Sequence, residues 1–267
     1  MKIIDAHTHC FPDELAARAI PFLEEEGNIK AKHNGTIHGL LENMKNVGIE
    51  KSVVLSIATK PSQSAKINEW AVTMTKQYKG KLIFSGSVHQ DLEDSEIEKN
   101  IKYLAENNVK LIKLHPEYQY ICPLNNKMDR IYRAAIDYDV KIFFHSGRDI
   151  AFVGSRSNPK IFLKLIKKYP KLKVILAHLG SWLLWNDVYE YLAGEEIYFD
   201  TSFTLNYIEK ELFLKIIEKH NKNLILFGTD SPWENEKNSI NKFNEFDFNT
   251  EIKEKILYQN SEKLFFS

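Results

Sequence analysis

Eight short runs dominated by Val, Ile, Leu and Phe recur along this chain, with helix-like segments filling the gaps between them. They read KIIDAHTH from Lys2, SVVLSIA from Ser52, KLIFSGSVH from Lys81, VKLIKLHP from Val109, VKIFFHSG from Val140, LKVILAHLG from Leu172, EIYFDTS from Glu196 and NLILFGTD from Asn223. Near-continuous apolar runs of this length suit strands covered on both faces, as in parallel sheets shielded by crossover helices. After the first run the spacing is roughly thirty residues, one β-α unit each. Eight such units with no Pro-, Gly- or Ser-rich linker predict an α/β fold, one (β/α)8 TIM-type barrel over residues 1–267 as a single domain. A doubly wound open sheet is the alternative. The chain is 43% hydrophobic, enough apolar material to fill such a core.

The connecting segments carry their own start signals. Ser95 and Glu98 can form a capping box ahead of Ile97, Ile101 and Leu104, which recur on one helical face. Asn158 before Pro159 marks another start, followed by Ile161, Phe162, Leu165 and Ile166. The first unit, from His9 to Ser52, is the longest, and carries Phe11, Pro12, Phe22, His33 and His38. Loops on the catalytic face of a barrel often grow into lids, so this extended first β-α segment is expected over the substrate, with its two histidines exposed rather than ligating. The terminal NSEKLFFS is expected to close the barrel as a helix packed by Leu264 and Phe265.

Charge and composition narrow the partners. Lys plus Arg and Asp plus Glu both number 36, so no global positive field invites nucleic acid. The basic stretch Lys164 to Lys173 is interrupted by Leu165 and Ile166, as on a solvated amphipathic helix. No apolar run approaches the ~20 residues that span a bilayer, and MKIIDAHTHC lacks the greasy segment of a signal peptide, so a cytoplasmic protein is expected. Cys10 and Cys122 supply no disulfide framework, although Cys10 lies close enough to the first motif to line a site. The remaining partner is a small-molecule substrate, with a homo-oligomer left open.

His7 and His9 stand two apart on an expected strand, so the pleat aims both rings to one side. His145 in FFHSG, His178 in ILAHLG and Asp230 in LFGTDSPW end three later runs, where a barrel's active site forms. Four imidazoles and a carboxylate thus converge on one mouth from strands distant in sequence. Such a donor set suits Zn²⁺ first, with Mn²⁺, Fe²⁺ or Co²⁺ also accommodated. Five donors exceed what one ion with an open position needs, so one of them sits beside the bound water or serves a second ion.

These motifs, DAHTH at 5–9, KLHP at 113–116, FHSG at 144–147, AHLG at 177–180, GTDSP at 228–232 and NSEKLF at 260–265, resemble the amidohydrolase superfamily. The resemblance is to the branch holding small metal-dependent hydrolases and the aminocarboxymuconate-semialdehyde decarboxylase relatives. It implies His7, His9, His145 and Asp230 as metal ligands, with His178 contacting the activated water or a second metal. Lys113 matches the lysine that some members carboxylate to bridge two metals; a buried ammonium paired with a carboxylate or binding substrate is the preferred reading here. His115 is ranked as a substrate-side or supporting residue. Arg148 can bind a substrate carboxylate or sit in an exposed ion pair. Trp233 is the better pocket wall, Trp182 a second candidate, and Trp185 a packing residue. The implied chemistry is hydrolysis of an amide, lactone or ester of a small anionic substrate by metal-activated water, with Asp230 as base. The alternatives are metal-dependent non-oxidative decarboxylation of an aromatic or muconate-type acid, and a non-catalytic metal- or ligand-binding barrel.

Overall fold

The computed structural model describes residues 1–266. Each of the eight apolar runs contains a strand: β1 (Ile4–Thr8), β2 (Lys51–Val54), β3 (Leu82–Phe84), β4 (Leu111–Leu114), β5 (Lys141–Phe144), β6 (Val174–Leu176), β7 (Tyr198–Asp200) and β8 (Ile225–Leu226). All pair in parallel, in the orders β1-β2-β3 and β4-β5-β6-β7-β8. Backbone hydrogen bonds join the two groups at both ends. Gly86 N donates to Leu111 O and Lys113 N to Gly86 O, each at 2.9 Å. Across the other seam, Ala6 N donates to Phe227 O and Asp230 N to His7 O, each at 2.8 Å. An open sheet would leave two unpaired edges here; the strands instead run around a TIM barrel.

Among the described residues, ten α-helices, α1 to α10 in chain order, lie between and after the strands: Asp13–Gly27, Ile37–Val47, Ser64–Gln77, Asp94–Glu106, Asp129–Asp137, Pro159–Lys168, Trp185–Tyr191, Lys210–Lys219, Glu236–Asn244 and Thr250–Glu254. The helix α6 begins as its sequence requires, with the Asn158 side chain accepting from Ile161 N at 3.1 Å and Phe162 and Leu165 buried. Lys164, Lys167 and Lys168 face solvent. In α4 the buried face is Ile97, Ile101 and Leu104, but the capping box is formed by Glu93 and Glu96, two residues ahead of Ser95 and Glu98. A Glu three residues downstream occurs in both registers, and local sequence does not choose between them. Among the described residues, no helix is long and apolar enough to cross a membrane.

Inside the barrel, Ala6, Val53, Leu111, Phe143, Ile175 and Leu226 pack together, and Leu264, Phe265 and Phe266 close this core from below. The closing segment is a π-helical turn, Glu262–Phe266, and Ser267 lies outside the described residues. Asn260 ties it in, its amide donating to Lys222 O and Ile225 O at 2.7 Å each.

The long first unit lies over the opposite end, where the strands finish. A Cβ on Gly27 would come within 2.8 Å of Ile150, so the end of α1 rests on the loop after β5. His38 is exposed as expected, whereas His33 is half buried. His33 Nδ1 accepts from Gly35 N at 3.1 Å, so its Nε2–H donates to Ser231 Oγ at 2.9 Å, which donates onward to Glu236. The first unit is pinned to the loop after β8 through this chain, a contact no local pattern announces.

Two imidazoles, one buried and one half-buried, make stability depend on pH. His220 stacks on Phe199 at 4.2 Å, donates to Ile197 O at 3.0 Å and accepts from Gly194 N at 3.1 Å. Burial lowers its pKa from 6.5 to about 4, and burial does the same to His33. Between those values the unfolded chain binds more protons than the native one, so native stability is full above pH 6.5 and declines as pH falls towards 4. Urea titrations of the metal-free protein should show this decline, and His220→Gln should flatten part of it; an unchanged slope would show that His220 does not contribute.

Candidate active site

The two ends of the barrel seam interlock through one carboxylate. Asp5 Oδ1 accepts from His7 N at 3.1 Å and Thr229 N at 3.0 Å, while Oδ2 accepts from Thr229 Oγ1 at 2.5 Å. DAHTH and GTDSP are therefore joined as one unit, which brings Asp230 beside His7 and His9.

Outer hydrogen bonds determine where the ring lone pairs point. His7 Nδ1–H donates to Asp200 Oδ2 at 2.7 Å, and His9 Nδ1–H donates to the Leu55 carbonyl at 2.8 Å. Each Nε2 is left as an acceptor. These two nitrogens stand 3.2 Å apart, with Asp230 Oδ1 at 3.2 Å from His7 and 3.0 Å from His9. A second facing pair lies alongside. His178 Nδ1–H donates to Ser202 O and His145 Nε2–H to Arg148 O, both at 3.0 Å, so the lone pairs of His178 Nε2 and His145 Nδ1 oppose each other at 3.0 Å. Converging lone pairs repel; Lys113 Nζ approaches one of them, His7 Nε2, at 3.4 Å, and a divalent cation would relieve the repulsion of the rest. The donor set fits such an ion.

Electrostatics keep the donors unprotonated. Burial, reinforced by Lys113, holds His7 well below the usual imidazole range, and burial with His115 and His178 does the same for His145. Burial opposes ionisation of Asp230, but the surrounding imidazoles of His7, His9 and His178 together hold its carboxyl far below the usual range. Lys113 is fully buried, 3.4 Å from His7 Nε2 and 4.8 Å from the Phe143 ring centre. Burial lowers its pKa from 10.5 to about 8 against the pull of Asp230 and Asp200. The backbones of His178 (φ 61°) and Asp230 (φ 71°) are left-handed, a conformation that costs about 1–3 kcal/mol for a non-glycine residue and that packing must sustain.

His115 lies flat on His145, ring centres 4.0 Å apart and planes 12° from parallel, with its Nε2 3.4 Å from Asp149 Oδ2. His115, His145 and Asp149 are close enough together to suggest a second cation site. The stacked rings cannot both aim a lone pair at one ion, and His145 Nε2–H is committed to Arg148 O. Asp149 thus orients imidazoles here. The Arg148 side chain forms no ion pair among the described residues and lines the cavity. Trp182 and Trp233 wall that cavity, while Trp185 packs beneath it, its indole N–H donating to His178 O at 3.0 Å. The cavity measures about 750 Å³ and also contains Cys10, Lys113 and His115.

Sequence reading missed Asp200, Ser202 and Asp149. Asp200 ends β7 as His145 follows β5, and that positional signal was available in EIYFD. Ser202 and Asp149 lie in loops with no pattern to single them out. Asp200 also accepts from His178 N at 3.0 Å, so it holds two of the imidazole-bearing segments. Asp200→Asn should leave a folded protein whose Mn²⁺ or Zn²⁺ affinity, measured by competition with a chelator, drops about 10–100-fold; unchanged affinity would remove His7 from the ligand set.

Comparison with known proteins places this geometry. A search of curated proteins finds no significant sequence match. Among solved structures, an uncharacterised TIM-barrel protein from Bordetella bronchiseptica superimposes with a TM-score of 0.80 at 17% identity, covering 99% of this chain and 98% of that one. A 5-carboxyvanillate decarboxylase from Novosphingobium aromaticivorans, complexed with manganese and a nitrobenzoic acid, gives 0.75 at 15% identity over 100% and 96%. A probable 2-pyrone-4,6-dicarboxylic acid hydrolase from Acinetobacter baumannii, with citric acid bound, gives 0.69 at 14% identity over 100% of both. At these identities the likeness establishes the fold. Residues 4–266 match the amidohydrolase family as a whole, and the chain belongs to that family of enzymes.

Proposed function

We propose that the protein is a divalent-metal-dependent hydrolase that opens an amide, lactone or ester of a small anionic substrate. The observation carrying this reading is the convergence of His7 Nε2, His9 Nε2 and Asp230 Oδ1 within 3.2 Å of one another, each with its lone pair directed inward by an outer partner or by charge. His7, His9, Asp230 and the His145–His178 pair would hold the ion or ions. Zn²⁺ is the first choice for this nitrogen-rich set, and Mn²⁺ is the alternative suggested by the decarboxylase neighbour. When bound, the metal supplies Lewis acidity that acidifies water and polarises the scissile group.

The chain's own groups do the rest. Asp230, ionised throughout the working pH range, accepts the proton released by the attacking water. His178, its Nε2 lone pair directed inward, accepts from the attacking water and orients it. Lys113 and Arg148 hold anionic substituents, His115 supports the substrate side of His145, and Trp233 excludes solvent. Residues 1–267 act as one catalytic unit on a small-molecule substrate. Two free cysteines, one of them buried, accord with a reducing, cytoplasmic setting.

Decarboxylation is the second reading, favoured by the aromatic wall of Trp182 and Phe203, 5.7 Å apart, beside the donors. There the bond between ring carbon and carboxylate breaks, carbon dioxide leaves, and the carbanion takes a proton. Chelation should abolish turnover, and Mn²⁺ or Zn²⁺ should restore it. Asp230→Asn should remain folded and lose about 100-fold or more in kcat. Full activity in metal-loaded Asp230→Asn would eliminate Asp230 as base. Heavy-oxygen water separates the readings: label enters the product of hydrolysis, whereas decarboxylation releases carbon dioxide and consumes no water.

A further inference from the structure

The helix α1 carries more apolar surface than the protein covers. Ala16 and Ile20 face inward and are buried. At helical spacing Leu15, Ala19, Phe22 and Leu23 continue the same apolar arc, and all four line the cavity instead. Leu15 and Phe22 remain 43% and 56% exposed, so this stripe has no cover from the folded chain. The helix starts shortly after β1, and its last residue, Gly27, meets Ile150 in the loop after β5, the strand on the far side of the ring. α1 therefore crosses the mouth, and its uncovered stripe roofs the cavity.

Three other elements add apolar side chains to the same cavity. Ile57 follows β2, Ile67 lies on α3, and Ile150 in the β5 loop is 43% exposed. Among the described residues, Leu23, Ile57 and Ile67 are half buried yet join neither the core inside the barrel nor the one between strands and helices. Packing within the chain does not account for them; a ligand in the cavity does. Arg18 and Lys66 also border the cavity, with side chains exposed to water. His7, His9 and Asp230 line the same cavity as the stripe, so the apolar wall is continuous with the donor cluster. Apolar surface left in water gains free energy when a hydrocarbon group lies on it. A concave wall shared with the donors suits a ligand arm, not the flat face of a second copy of the chain.

We propose that this wall is a hydrocarbon subsite and that the substrate is an amphiphile. Its anionic, reacting end meets the imidazole cluster, and an unbranched apolar arm lies under α1 against Leu15, Phe22, Leu23, Ile57, Ile67 and Ile150. From Leu15 to Phe22 the stripe runs about 10 Å along the helix, enough for an arm of several carbons and more than a methyl or ethyl branch would cover. The cavity of about 750 Å³ falls in the upper part of the roughly 300–1,000 Å³ common for small-molecule sites, so it accommodates both ends. Only the placing of the anionic end rests on the function proposed above.

Calorimetric binding of straight-chain monocarboxylates, from propionate to decanoate, to the Mn²⁺-loaded protein tests it. Each added methylene should tighten binding about two- to fourfold, the upper figure being complete removal from water. The heat-capacity change should grow more negative with chain length. Leu15→Ser combined with Phe22→Ser, at exposed positions, should lower the ratio of octanoate to propionate affinity about fivefold or more, and Phe22→Leu should largely keep it. A ratio near one across the series, or one that survives the double substitution in protein with an unchanged circular dichroism spectrum, overturns the subsite. So does sedimentation showing self-association of the unmodified protein that the double substitution abolishes, because a second copy would then cover the stripe. Propionate affinity indifferent to Mn²⁺ removal would instead refute the imidazole cluster as the anionic end, while the chain-length ratio would still decide the arm.

Discussion

The seam between β8 and β1 is the constraint on which the rest depends. A parallel barrel must bring its first and last strands together, and here the buried Asp5 carboxylate accepts from the backbone of both. The same contact that closes the ring sets Asp230 against His7 and His9. Folding and site assembly are therefore one event: the donors cannot separate without opening the barrel. Thr229 contributes both its N–H and its hydroxyl to Asp5, and its own Oγ1 accepts from Ser231 N at 3.1 Å. That chain orders the backbone on either side of Asp230.

Around this seam, the site is built from hydrogen bonds that face away from it. Asp200, the Leu55 carbonyl, the Ser202 carbonyl and the Arg148 carbonyl each take one ring N–H, and each fixes an imidazole tautomer. Burial then suppresses protonation of His7 and His145. The consequence is a cluster of lone pairs that packing forces together although they repel one another. Left-handed backbone at His178 and Asp230 belongs to the same economy of strain, held by the surrounding structure rather than by local preference.

Above the donors, the first β-α unit contributes shape and apolar surface rather than ligands. Its α1 lays an apolar stripe over the mouth, while the His33–Ser231–Glu236 chain and the bond from Lys32 N to Pro232 O at 2.7 Å pin the unit to the β8 loop. First unit and seam meet at the same place, so the cavity's outer wall is registered to His7, His9 and Asp230.

The sequence by itself determined the eight strands and the α/β barrel, because apolar runs of strand length alternating with capped helices have few other ways to bury themselves. It also singled out His7, His9, His145, His178 and Asp230, since each follows or ends such a run and the barrel's geometry gathers strand ends. Tertiary structure alone decided the rest. The outward partners Ser202 and Asp149 lie in loops, where no periodicity constrains identity. The choice of Nδ1 on His145, the burial of His33 and the capping of α4 by Glu93 depend on neighbours far along the chain or on a register that several local options satisfy. Strand position is a periodic property and is written locally; which nitrogen carries a proton is set by whatever acceptor the fold brings to it.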